Sequence, residues 1–161
     1  MSNPGAVLHL LCGKIASGKS TLAAKLASHP STLLIAEDIW LGQLYPDEIK
    51  TVTDYVLRSK RLKQILGSHI IDVLRAGTSV VLDFPANTVS DRQWLRALAD
   101  QARVNHALHF LDVDDATCLA RLRSRNSTGN HAFQTSDVDF ALITSYFMPP
   151  GQEEGFHIVL G

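Results

Sequence analysis

The 161-residue chain is sparing with several residue types, and each scarcity closes a class of function. Its two cysteines, Cys12 and Cys118, lie in apolar stretches without C-x-x-C spacing, so neither a disulfide framework nor a zinc site is signalled. Two buried thiols in a reducing compartment are the reading that remains. An excess of one charge is missing too: 15 Lys and Arg against 16 Asp and Glu leave a formal net charge of −1. Without the positive field that grips a polyanion along its length, extended nucleic-acid binding is disfavoured. No apolar run is long enough to span a bilayer, and the opening MSNPGAVLHLLCGK lacks a charged n-region. A soluble, cytoplasmic protein is expected. Repeats, flexible linkers and low-complexity segments are absent as well.

What the chain does have is 45% hydrophobic residues in a length suited to a single domain, here taken as residues 1–161. Five short apolar runs read as buried strands: Ala6–Cys12, Thr32–Ala36, Ser79–Phe84, His106–Val113 and Phe156–Leu160. Helical periodicity follows most of them, and that alternation predicts an α/β fold. A long helix is predicted from Ile49, Val52, Val56, Leu62, Ile65, Leu66, Ile70, Val73 and Leu74, with Gly77 as its stop. Further helices are predicted from Ser90, where Gln93 completes a capping box, from Asp115 to Arg123, and from Ser136 to Phe147. Polar residues from Ser124 to His131 interrupt the pattern.

The first strand runs into LLCGKIASGKSTLAAKL, in which Gly13, Gly18, Lys19 and Ser20 fit G-x-x-x-x-G-K-[ST]. Glycines at the two ends permit backbone conformations closed to other residues. The loop can then turn its N–H groups inward around phosphate oxygens, with the positive end of the Ser20–Ser28 helix aimed at the same point. Candidate nucleotide contacts are therefore Gly13, Lys14, Ala16, Ser17, Gly18 and Lys19, continuing into Ser20 and Thr21. Lys19 is placed to reach the β and γ phosphates, and the Ser20 hydroxyl to ligate Mg²⁺. The stretch is built to hold a nucleoside triphosphate, read as ATP.

Carboxylates at the ends of the next strands suggest the fate of the bound triphosphate. Asp38, just past the second strand, can accept the proton of an attacking hydroxyl; Glu37 beside it is the weaker candidate. Asp83 closes the third strand, where an acid supports Mg²⁺ or caps the following turn. Asn87 and Arg92 are further candidates for phosphate or acceptor contact. Arg121 and Arg125, four apart, can share one helix face and close over the transferred group, whereas Arg123 points away. His9 and His109 fall in predicted strands and are expected as satisfied core residues.

Assembled, GKIASGKST, AEDIW, VVLDFPAN and ARLRSRN resemble the small P-loop kinases of the group that includes polynucleotide kinase, chloramphenicol phosphotransferase and the zeta-toxin-like proteins. That group often carries the label of AAA-family ATP-binding proteins. The resemblance implies a three-layer, nucleoside-kinase-like P-loop NTPase fold, with a five-stranded parallel sheet in order 2-3-1-4-5. It implies Asp38 as general base and Arg121 and Arg125 as phosphate contacts of a lid, here placed at 124–135 with His131 inside it. It also implies that adenine packs near PPGQEEGF, and that the segment between Asp38 and Asp83 covers the acceptor. That segment offers Trp40, Tyr45, Tyr55, Arg58 and Arg61, suited to a small ring-bearing or anionic hydroxyl compound unless they are core and solvated surface. Polynucleotide kinases carry an arginine three residues past the catalytic acid; Leu41 stands there, which disfavours a polynucleotide end as acceptor. The expected activity is ATP- and Mg²⁺-dependent phosphoryl transfer to a small-molecule hydroxyl. A nucleotide-dependent binding or switch module, or a toxin-like kinase of a nucleotide sugar or protein, are the alternatives.

Overall fold

A computed structural model describes residues 5–129 and 134–161. Its five strands are β1 (Val7–Cys12), β2 (Thr32–Ala36), β3 (Ser79–Asp83), β4 (Asn105–Phe110) and β5 (Ile158–Leu160). They form one parallel sheet in the order β2-β3-β1-β4-β5, the order that the resemblance implied. The helices are α1 (Lys19–Ala27), α2 (Glu37–Leu44), α3 (Val52–Arg75), α4 (Val89–Ala102), α5 (Asp115–Thr128) and α6 (Asp137–Ser145). A 3-10 turn, Gln152–Glu154, precedes β5.

Parallel strands need crossovers, and those helices cover both faces of the sheet. On one face Leu11 and Val81 meet Ala23 of α1, with Leu22, Leu26 and Leu34 closing around them. On the other, Leu8, Leu10, Val80 and Leu82 pack against Leu62, Leu66, Ile70 and Leu74 of α3 and Leu95 and Leu98 of α4. Each such side chain, fully removed from water, contributes about 1.5–3 kcal/mol. The result is the expected three-layer arrangement. Among the described residues, no helix is long and apolar enough to cross a membrane.

The long predicted helix is α3, and its ends follow local chemistry. Thr51 accepts from the Asp54 N–H at 3.0 Å while Asp54 accepts from the Thr51 N–H at 3.1 Å, a reciprocal cap. At the far end Gly77, at φ 96°, takes the left-handed conformation, and its N–H bonds back to Leu74. Val56 and Ile65, expected on the buried stripe, are 55% and 72% exposed; they fall on the two flanks of the face that Leu62, Leu66 and Ile70 bury.

Three further expectations need correction. The segment after β2 forms a helix of its own, α2, where none was predicted. α4 is capped by Thr88, whose hydroxyl accepts from the Asp91 N–H at 3.1 Å, rather than by a Ser90–Gln93 box. α5 runs through Ser124–Thr128 instead of stopping at Arg123, and ends where Gly129 takes the left-handed conformation at φ 66°. Part of the expected lid is therefore helix. His131 lies outside the described residues.

His9 on β1 and His109 on β4 point to the α1 side of the sheet and share a hydrogen bond, Nδ1 to Nε2, at 3.0 Å. One ring must be donor and the other acceptor, so the pair requires at least one neutral imidazole. Burial, with help from His109 and His29, lowers the His9 pKa to about 4; burial and His157 lower that of His109. Between pH 4 and 6.5 the unfolded chain thus binds protons that the folded chain refuses. Stability from this pair is complete above about pH 6.5 and falls as the pH drops toward 4. Because His9 is only half-buried, water screens part of the cost, leaving on the order of 1–2 kcal/mol. Urea unfolding at pH 7.5 and pH 5 should show a loss of that size in the wild-type chain, and a smaller one in H9L/H109L.

Candidate active site

Register brings the C-terminal ends of the central strands to one edge. Leu10 pairs with Leu82 and Ala36 with Asp83, so the loop after Cys12, the Asp83 side chain and the Glu37–Asp38 step emerge together. In open α/β sheets this edge is where ligands bind.

The loop from Gly13 to Lys19 is bent by its backbone. Ser17 N–H bonds to the Lys14 carbonyl at 3.1 Å, and Ala16 and Gly18 take φ of 62° and 103°. A side chain at Gly13 would collide with the Ser17 hydroxyl and approach the Leu111 carbonyl oxygen to 3.1 Å. Gly18, in the left-handed region, opens α1 directly. The Lys19 ammonium folds over the loop, donating to the carbonyls of Gly13 at 2.7 Å and Lys14 at 2.8 Å. Burial lowers its pKa, opposed by Asp83, Cys12 and Asp38. A partly dehydrated cation in the first turn of a helix is suited to receive an anion. The Ser17 hydroxyl, buried at the loop's centre, has no hydrogen-bond partner among the described residues, as a group meant for a ligand oxygen would not.

Ser20 Oγ donates to Asp83 Oδ2 at 2.8 Å, joining the first turn of α1 to the end of β3. A hydroxyl and a carboxylate are the hard oxygen donors that Mg²⁺ takes, and they suit it when phosphates complete the shell. Among the described residues no group of three or more His, Cys, Asp or Glu could hold a metal ion. Asn87 Oδ1 accepts from the Gly13 N–H at 3.1 Å and so braces the loop from behind. Burial raises the Cys12 thiol to about 11, leaving it an inert filler.

Other expected contacts are less direct. Lys14 turns outward, pairing with Asp115 at 2.7 Å, donating to the Val113 carbonyl at 3.2 Å and lying 5.4 Å from the Phe147 ring centre. Its side chain tethers the loop to α5, while its carbonyl accepts from Lys19 and from the Ser17 N–H. Thr21 is exposed on α1. Arg121 reaches the Ser17 carbonyl with Nη1 at 3.5 Å. Arg125 is half-buried, its Nε without a hydrogen-bond partner among the described residues, and the Asp38 carboxylate opposes the burial that lowers its pKa. Asp38 acts on Lys19 in the same sense, so α2 supplies the charge that both cations feel. Arg123 points away as expected, forming an ion pair with Asp137 at 2.6 Å.

In the acceptor segment, Trp40 is 39% exposed while Tyr55 packs against the core. Arg58 lies 4.6 Å from the Tyr45 ring centre and 3.9 Å from Glu48; Arg61 is exposed. Sequence reasoning missed Ser59, which with Tyr55 bonds the buried Glu37. Their spacing of four marked a shared helix face, but nothing in it named the partner.

Residues 8–150 match the family described as an AAA domain. The chain belongs to that family. By sequence it matches none of the curated proteins. Among solved structures, this AAA domain is similar to an inferred kinase from Chloroflexus aurantiacus, with a TM-score of 0.75 and 19% identity over 100% of this chain and 86% of the other. It is similar to Kti12 of Chaetomium thermophilum, solved with ADP-AlF3, at 0.73 and 15% over 96% and 88%. The APS kinase CysC of Mycobacterium tuberculosis, solved with AMPPNP and APS, follows at 0.60 and 18% over 91% and 84%. Identities this low speak for the fold, which is that of the P-loop kinases.

Arg92 of this AAA domain does not serve the site as a phosphate or acceptor contact. It is 0% exposed, and its guanidinium grips Glu154 through Nε at 2.8 Å and Nη2 at 3.1 Å. Nη1 donates to the carbonyls of Ala86 at 2.9 Å and Met148 at 2.8 Å. The residue ties α4, the turn after β3 and the approach to β5 into one frame behind the loop. Arg92 in turn holds the Glu154 carboxyl below the usual range. E154A leaves a buried cation unpaired, and urea unfolding should register a loss of about 3–5 kcal/mol.

Proposed function

We propose that this AAA domain is an ATP- and Mg²⁺-dependent phosphotransferase that moves the γ-phosphoryl group to a hydroxyl of a small molecule. The observation that carries the reading is the place of Asp38, one step past β2, where its charge acts on both Lys19 and Arg125 near the Ser20–Asp83 pair. A binding module that only senses nucleotide has no use for a carboxylate there. A kinase needs it to take a proton.

In this reading the Lys19 ammonium and the loop N–H groups other than those of Gly13 and Ser17, which bond Asn87 and the Lys14 carbonyl, hold the phosphate tail and meet charge that grows on the transferring group. Ser20 and Asp83 hold Mg²⁺, which supplies charge neutralisation across the phosphates when bound. Asp38 accepts the proton of the acceptor hydroxyl as its oxygen attacks. Arg121 and the half-buried Arg125, whose Nε has no hydrogen-bond partner among the described residues, contact the phosphates from α5. Residues 1–161 act as one domain in this reading, with 124–135 as its lid. A small acceptor suits the near-neutral charge, and a reducing, cytoplasmic setting suits the buried free thiols Cys12 and Cys118.

The test separates binding from chemistry. D38N should bind Mg·ATP as the wild-type chain does, yet consume ATP about 10²–10⁴-fold more slowly, whether the acceptor is water or a compound found by screening hydroxyl-bearing metabolites. D83N should instead weaken nucleotide binding at limiting Mg²⁺ and recover in part as Mg²⁺ is raised. Turnover of D38N at the wild-type rate overturns the assignment.

A further inference from the structure

Glu37 is 1% exposed, yet phosphoryl transfer gives it no task. Burying an acid is costly unless its oxygens are satisfied, and a hydrophobic residue would fill the space without that penalty. Here both oxygens are taken by hydroxyls from α3. Tyr55 Oη donates to Oε1, and Ser59 Oγ donates to Oε2 at 2.6 Å. The two donors sit one helical turn apart and present a single face. α3 is an unyielding base for them, capped at Thr51 and buried in the core from Leu62 onward.

α2 by contrast starts weakly. Its N-cap is Ala36, which offers no side-chain bond, and the helix has only eight residues. Its first turn is therefore fixed from the side by Glu37. Asp38 is the next residue, and it is exposed where Glu37 is buried. A shift in that first turn moves the Asp38 carboxylate with it.

We propose that Glu37, clamped by Tyr55 and Ser59, is a positioning residue that fixes the first turn of α2 and thereby aims Asp38 at the acceptor. The inference rests on Asp38 being the proton acceptor. Burial and the negative charge of Glu37 push the Tyr55 hydroxyl well above its usual value, so it remains a donor at any physiological pH. Burial raises the Glu37 carboxyl, opposed by Ser59, Tyr55 and Lys63; Asp38 adds to the rise.

The test is a double-mutant cycle on the full chain, reading Mg·ATP hydrolysis with water as acceptor and Mg·ATP affinity by calorimetry. Y55F/S59A should slow hydrolysis about tenfold while affinity stays within about twofold. In the D38N background the same pair should change the rate less than about twofold, because a misaimed group that is already disabled costs nothing more. Hydrogen exchange should quicken in the first turn of α2 and not in the Gly13–Lys19 loop. An unchanged rate in Y55F/S59A, or an equal loss in both backgrounds, overturns the positioning role while leaving the Asp38 assignment intact. A wild-type rate in D38N overturns that assignment instead, and the positioning role with it. Should Y55F/S59A not fold, Y55F alone, which removes one oxygen atom, carries the same comparison.

Discussion

The structure depends on keeping a lysine ammonium half out of water at the end of a tightly bent loop, where α1 begins. Lys19 is held over the carbonyls of Gly13 and Lys14, and its burial works against its own charge. Such an arrangement is tolerable because negative groups stand near and an anion completes it. Much else in the fold serves that one constraint. β1 lies at the middle of the sheet and delivers the loop; Asn87 braces Gly13, and Lys14 pins the outer limb of the bend to Asp115. Arg92 locks the frame behind it through Glu154 and two carbonyls.

Strand order then decides which acids share the space. β3 is the neighbour of β1, so its terminal Asp83 meets Ser20, the residue after the lysine. β2 lies one strand further out, and its continuation into α2 carries Asp38. In the proposed reaction the nearer acid serves the metal and the farther one the proton. Identical side chains acquire different work from the order of parallel strands and from the turn after each. The arginines of α5 approach from the opposite side, where Arg125 shares the field of Asp38.

The loop was legible because its mechanism fixes residue types at fixed spacing, and the strands because buried parallel strands are continuous apolar runs. The strand order came by family resemblance; spacing alone carries no such information. What escaped was set by contacts between distant segments. EDIWLGQL has too few turns and too mixed a pattern to declare a helix; in the fold α2 is held by the contacts of Glu37 with Tyr55 and Ser59 and by the burial of Leu41 in the core. α5 continues through Ser124–Thr128, residues that read as a break, and stops only at Gly129. Arg92 reads as a site residue because its nearness to the third strand is visible in the chain, whereas its neutralisation by Glu154, 62 residues away, is not. The outward turn of Lys14 is hidden in the same way, since its partner Asp115 lies on another element.

The most direct measurement is titration calorimetry of Mg·AMPPNP into the wild-type chain and into K19A. The account predicts saturable binding of about one nucleotide per wild-type chain, weakened at least about tenfold in K19A, since the ammonium contributes at least about 1.4 kcal/mol to holding the phosphates. No heat from the wild-type chain, or equal affinity in K19A, would contradict it.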